Sequence, residues 1–372
     1  MHDTYVYNVL SLSIMIKVDI EEGENKMART KKNEFKQRLA PYEKSTTKQS
    51  IWQLVNTIVP FVLLWFLAYQ SLNISYILTF TLATIAAGFL VRIFIIFHDC
   101  CHHSFFKNRM ANKIVGTCTG ILTMCPYDQW QRSHSIHHAT SGNLNKRGIG
   151  DIWVMTVEEY QDAPLWRKFA YRMYRNPFVM FVIGPVYIFL IAYRFNRKDA
   201  RMKERINTYI TNLAIIGITL LFFYMIGWKA FLLIQGPIFL LSGAAGVWLF
   251  YVQHQFEHVY FEREEKWSYV KAALEGSSYY KLPKVLQWLT GNIGFHHIHH
   301  LSPKVPNYYL EEVHDKHFAN ENIPTVTLAS SVQTLKYKLW DEKNKELIGY
   351  HELKSLAKRK NQKTKYISTQ IK

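Results

Sequence analysis

The sequence predicts an all-α integral membrane protein: two transmembrane helical hairpins, four spans in all, with a cytosolic helical cap holding a histidine-rich dinuclear metal site. Three observations lead there. Residues 51–72, 74–97, 206–228 and 231–252 each supply about twenty largely apolar residues, the length a helix needs to cross a bilayer. Twelve of the sixteen histidines fall in four short clusters, two of which begin where an apolar stretch ends. The basic residues behind a formal charge of +17 lie outside the apolar stretches, as the positive-inside rule requires.

Taken in order, residues 1–48 are expected as an N-terminal cytosolic tail. Met27, Ala28 and Arg29 read like a natural start, which marks residues 1–26 as a non-native extension. Val6 to Ile16 has no preceding Lys or Arg and no small-residue cleavage site, so a secretory signal is not expected there. Residues 49–345 are expected as one membrane domain, and 346–372 as a charged tail. The stretches at 51–72 and 74–97 are separated only by a tight connection at Asn73, so they pair as an antiparallel hairpin. Arg92, near the end of the second, is expected to snorkel to the interface. Residues 114–126 are too short to span and suit an interfacial helix. Residues 178–193 are short and interrupted by Gly184 and Pro185, so they are assigned to the interface or to a re-entrant fold. This assignment leaves an even number of crossings between His138 and His254, which keeps all clusters on one face. The chain beyond Lys336 is expected as a solvated helix or a frayed end.

The clusters themselves are His98, His102 and His103; His134, His137 and His138; His254 and His258; and His296, His297, His299 and His300. Residues three and four apart share one helix face, so each cluster can aim two or three imidazoles at a common point. One zinc ion takes four protein ligands, or three and a water. Nine or ten convergent imidazoles are better matched to two metals with four or five ligands each. Imidazole alone leaves iron, copper, zinc and nickel open. There is no H-E-x-x-H, which counts against a zinc protease. Cys100, Cys101, Cys118 and Cys125 lack zinc spacing and are read as reduced thiols, with a thiolate from Cys100 or Cys101 as an alternative ligand. A pI near 9.5 could suggest nucleic acid, but no nucleic-acid-binding pattern is visible and none is expected as a partner.

The pattern H-x-x-x-H, H-x-x-H-H and H-x-x-H-H resembles the membrane fatty acid desaturase family. Arg147 through Trp153, Val157 through Tyr160 and Asn292 through Tyr308 (NIGFHHIHHLSPKVPNY) are similar to the bacterial and plastid-like omega-6/delta-12 and delta-5 acyl-lipid branch. The resemblance covers roughly 40–340. It implies a di-iron enzyme that uses O2 and two electrons to introduce a cis double bond into a fatty acyl lipid. The ligands it implies are His98, His102, His134, His137, His138, His296, His299 and His300, with His258 as a further ligand at the end of the fourth span. His254 stands where some relatives carry an Asn acting through water, so it and His103 are additional candidates. Asp99, Asp151 and His297 are the expected outer partners of the ligands, with Asp128, Glu257 and Glu311 as weaker alternatives. By helical phase His297 should point away from the face of His296 and His300.

No His-Pro-Gly-Gly haem motif or iron–sulfur cysteine run is present, so an external electron donor such as a ferredoxin or flavodoxin is expected. The implied location is a multi-pass protein of a bacterial inner membrane, with its active site on the cytoplasmic face. Two rivals remain. The same scaffold could hydroxylate or epoxidise the chain. A multi-histidine metal transporter would instead place its ligands near the bilayer midplane, inside the spans.

Overall fold

In a computed structural model, which describes residue 30, residues 33–353 and residue 355, four helices are long and apolar enough to cross a membrane. Helix α1 (Thr47–Ser71) and helix α2 (Tyr76–Cys101) form the first hairpin. The turn between them is closed by Ser71 Oγ and Thr79 Oγ1 at 2.8 Å, and the Ser75 hydroxyl caps α2 by accepting from the Leu78 N–H. Both helices present apolar side chains outward, with Trp52 66% and Ile77 81% exposed, a surface that only lipid or another apolar partner would cover. The expected extension at 1–26 lies outside the described residues.

After α2 the chain forms α3 (Arg109–Leu122), started by Asn108, whose side-chain oxygen accepts from the Met110 and Ala111 N–H groups. It is the short helix expected near 114–126. Helix α4 (Tyr127–Thr140) follows and carries the second histidine cluster. Residues Leu165–Tyr174 and Val179–Arg194 form two pieces bent by 66° at a short break. The break falls before Val179 and not at Gly184 and Pro185, where a π turn (Val179–Ile183) runs straight into the helix Gly184–Leu190. The second hairpin is α5 (Met202–Ile226) and α6 (Trp228–His254). Its turn rests on Gly227 at φ +82°, a left-handed conformation that a side chain would strain. The cap then adds α7 (Lys284–Leu289), α8 (His296–Leu301) and α9 (Leu310–His317).

Three expectations are corrected. Arg92 does not snorkel. It is buried in the angle between α1, α2 and α7, where Nε donates to Thr57 Oγ1 at 3.1 Å and another guanidinium N–H donates to the Trp288 carbonyl. Its guanidinium also lies 4.0 Å from the Trp288 ring centroid, so it ties the exposed apolar face of α7 to the spans.

The segment after Lys336 does not start as a solvated helix or a frayed end; among the described residues only 350–353 and 355, beyond a pair of strands, are helical. Strand Leu339–Asp341 pairs parallel with Met155–Thr156 and antiparallel with Glu346–Ile348, and Trp340 is buried between them. The boundary expected at 345/346 therefore cuts through a sheet. Likewise the 1–48 segment is not a free tail throughout, because Phe35 and Leu39 are buried against Phe295, Ile298 and Phe318 of the cap.

Candidate metal centre

Each ligand box lies where a helix can aim it. His98 occupies the last turn of α2, and His102 is the residue that caps it. His134, His137 and His138 sit on α4, His254 is the last residue of α6, and His296, His299 and His300 lie on α8.

These nine side chains converge into two groups. His98, His102, His134, His138 and His299 form one, and His137, His254, His296 and His300 form the other, with the ligand atoms inside each group no more than 4.8 Å apart. The two H-x-x-H-H boxes divide in opposite senses. On α4 the first and third histidines join the first group and the second joins the other. On α8 the first and third join the second group and the middle one crosses back. A step of four keeps two imidazoles on one face, while a step of three turns the remaining one toward the neighbouring group. The groups touch where the rings of His138 and His300 stack at 4.2 Å.

Outer hydrogen bonds orient three of these rings. His98 Nδ1–H donates to Asp99 Oδ1 at 3.1 Å, His137 Nδ1–H donates to Asp151 Oδ1 at 2.6 Å, and His254 Nδ1–H donates to the Gly276 carbonyl at 3.1 Å. Asp99 is itself fixed, since its other oxygen accepts from the Asn307 backbone N–H at 2.7 Å and side-chain amide at 2.8 Å, and Asn307 accepts from Gln53 of α1. Such partners set the tautomer and make the opposite nitrogen a better ligand.

That arrangement tests whether a metal fits. With their Nδ1 protons committed, His137 and His254 present only lone pairs at Nε2, yet those two atoms face each other at 3.2 Å. Two acceptors at that distance repel, and a cation between the ligands of the group removes the conflict. Buried Nε2 atoms of His102 and His300 also find no partner among the described residues. The rest of the cluster also resists protonation. Burial, and then the neighbouring imidazoles, hold His134, His138, His296, His299 and His300 well below the usual histidine value. The neutral, all-imidazole donor sets suit a borderline transition metal.

Other expected residues fall elsewhere. His258 is exposed and outside both groups, because α6 ends at His254 and Gln255 leaves the helix at φ −133°. The spacing of four aligns His254 and His258 only on a continuing helix, so the position expected for His258 passes to His254. His103 has φ +56°, is exposed, and lies 3.2 Å from Gln131 Nε2, outside both groups. His297 points away from them, as its phase predicts, with Nε2 3.4 Å from His314 Nδ1. It does not hold a ligand in place. The four cysteines are free thiols and none enters a group. Of the alternative acids, Glu311 pairs with Lys284 and Glu257 is exposed.

Three residues at this centre were not anticipated. Trp130 stacks on the His134 ring at 4.2 Å. Arg175, buried to 1% exposure, donates to Gln255 Oε1 at 2.8 Å and to the Tyr337 carbonyl at 2.9 Å. Gln255 in turn donates to the His254 carbonyl at 2.8 Å, which links the C-terminal sheet to a metal-group residue. Gln255 and Trp130 were visible beside the histidine clusters, whereas nothing in the sequence ties Arg175 to them.

A cavity of about 560 Å³ opens beside the centre. Its walls come from α2, α6 and the bent segment, and His98, His134 and His296 stand in its lining, so it borders both groups. The remaining lining is mostly aliphatic and aromatic, the make-up of a site for an apolar ligand.

A family model described as fatty acid desaturase matches residues 71–327. A fatty acid desaturase of Bacillus subtilis (strain 168) is 60% identical over 326 residues, covering 88% of this chain and 93% of that protein. The chloroplastic omega-6 fatty acid desaturase of Arabidopsis thaliana is 28% identical, covering 60% of this chain and 49% of its own length. An sn-1 oleoyl-lipid 12-desaturase of Synechocystis sp. is 26% identical, covering 67% of this chain and 69% of that protein.

Proposed function

The chain belongs to the fatty acid desaturase family and is an oxidoreductase of that class, and from this premise we propose that it introduces a cis double bond into the acyl chain of a membrane lipid. The observation that carries the reading is the apolar cavity ending on histidines of both metal groups, since an acyl chain lying there would pass the metals side-on. The name of the Synechocystis relative, an oleoyl-lipid desaturase, supports a lipid-linked chain as substrate.

Two iron ions are the proposed cofactor, one held by His98, His102, His134, His138 and His299, the other by His137, His254, His296 and His300. Bound iron supplies the redox chemistry that O2 needs to act on an unactivated C–H bond. In the overall reaction O2 accepts two hydrogens from the chain, two electrons and two protons, and leaves as two waters. Around that chemistry the protein's own residues bind and orient. Asp99, Asp151 and the Gly276 carbonyl hold three imidazoles in the ligating tautomer. The cavity wall holds the chain, and its apolar lining excludes water from the reacting carbons.

Electrons come from a separate soluble donor, a ferredoxin or flavodoxin, in keeping with the strongly basic chain, which steers acidic partners. The site lies on the cytoplasmic face of a bacterial inner membrane in this reading. His98 and His254 at the ends of two spans support a site at one membrane surface, away from the midplane position of a transporter site.

Expression in a host that lacks polyunsaturated lipids, with fatty acids read by mass spectrometry, tests the proposal. A new double bond, absent when His134 is replaced by Ala, is the expected result. An inserted oxygen would reassign the chemistry to hydroxylation or epoxidation, and an unchanged acyl profile would overturn the reading.

A further inference from the structure

Along α6, Phe239, Gly243, Gly246, Phe250 and His254 recur at steps of three and four, so they share one face, and the first four line the cavity that ends at the metals. The two glycines do different things there. At Gly243 a Cβ would stand 2.9 Å from the Pro185 Cβ, so this glycine is needed for the bent segment to pack on α6. At Gly246, one turn nearer the metals, a Cβ would meet nothing within 4 Å. Its missing side chain leaves open lumen, flanked along the same face by the phenyl rings of Phe239 and Phe250. Gly246 precedes His254 by eight residues, which places it about 12 Å along the helix axis from that metal group.

We infer that Gly246 is a specificity-determining position, which sets how much of an apolar chain can extend down the cavity beyond the metals. The inference rests on the reading of an acyl chain as substrate. A Cβ at 246 would stand in open space with no neighbour within 4 Å, so a side chain there starts into the passage unobstructed. Chains that stop short of that level would still bind, while longer ones would be excluded or would sit displaced along the metals. Apolar pockets discriminate between chains differing by one methylene by about 10–200-fold, so a leucine side chain in the lumen is a strong filter.

The test compares wild type, Gly246→Ala, Gly246→Leu and Gly236→Leu in cells fed saturated fatty acids of graded length, with desaturated products and bound iron both measured. Gly236 lies on the same helix, and a Cβ there would likewise meet nothing within 4 Å. It is absent from the cavity wall, so its leucine variant controls for bulk on α6. The expected result is a ratio of long to short products lower by about tenfold or more in Gly246→Leu. A smaller fall is expected in Gly246→Ala, and none in Gly236→Leu, with iron content unchanged in all. Complete inactivity of Gly246→Leu at normal iron content, together with a graded length bias in Gly246→Ala, also supports the inference. An unchanged length profile in an active Gly246→Leu overturns it, as does uniform loss at every length in both Gly246 variants. If wild type itself desaturates no fed chain, the substrate reading fails, and that outcome is separate from any difference among the variants.

Discussion

Replacing Asp151 should loosen one metal and spare the other. Asp151 Oδ1 accepts the Nδ1–H of His137 at 2.6 Å, and of the two groups only the second contains His137. The carboxylate is largely buried, at 15% side-chain exposure, so little solvent screening weakens this bond. Loss of such an outer partner typically lowers metal affinity by about 10–100-fold, equivalent to about 1.4–2.7 kcal/mol. Asp151→Asn keeps an oxygen that can accept but removes the charge, so it should fall near the lower end of that range. Asp151→Ala removes the acceptor and should fall near the upper end. The assay is metal retained per chain after equilibration with graded chelator. Wild type should release both metals over one range of chelator concentration, whereas the variants should release one early and one late. Asp99→Asn should show the complementary pattern through His98, with added disturbance because Asp99 also anchors Asn307. Equal loosening of both metals in Asp151→Ala, or no loosening at all, would refute the assignment of His137 to a separate group.

Two further outcomes follow from the geometry. His254→Ala should lose metal from the second group and abolish desaturation, while His258→Ala, changing an exposed side chain outside both groups, should retain metal and activity; metal content and product yield at matched expression check both. The metal-free protein should lose stability as pH falls below the ordinary imidazole value of 6.5, because burial lowers the folded-state values of His134, His138, His296, His299 and His300. The unfolded chain then binds more protons than the folded one, and each such group contributes up to about 1.4 kcal/mol per pH unit, seen as a falling Tm of the apo protein between about pH 7.5 and 5.5.

The parts of this molecule that could be read from its sequence are those governed by local periodicity. Four apolar stretches became four long helices, and the i, i+3 and i+4 spacing in the α4 and α8 boxes already contained the division of imidazoles between groups. Asp99 was legible because it adjoins a ligand, and Asp151 because it lies in the motif that follows the second box. What escaped depends on where helices stop and on pairing between distant segments. His258 is a ligand and His254 a lesser candidate only on a helix that continues past His254, and no strong breaker marks the end of α6 at Gln255. Trp340 is buried because Leu339–Asp341 pairs with Met155–Thr156, a segment far away in the chain, and three-residue strands carry too little alternation to announce such a partner. Arg92 was read as an interfacial cation, since its actual partners, Thr57 and Trp288, come from other elements.

Elemental analysis of the purified, active protein separates a dinuclear iron centre from any mononuclear one. About two iron atoms per chain and no stoichiometric zinc are expected, with both metals lost from a variant in which His138 and His300, the stacked pair between the groups, are replaced together. A single metal ion per chain in fully active enzyme, or full activity with zinc in place of iron, would contradict a dinuclear iron centre.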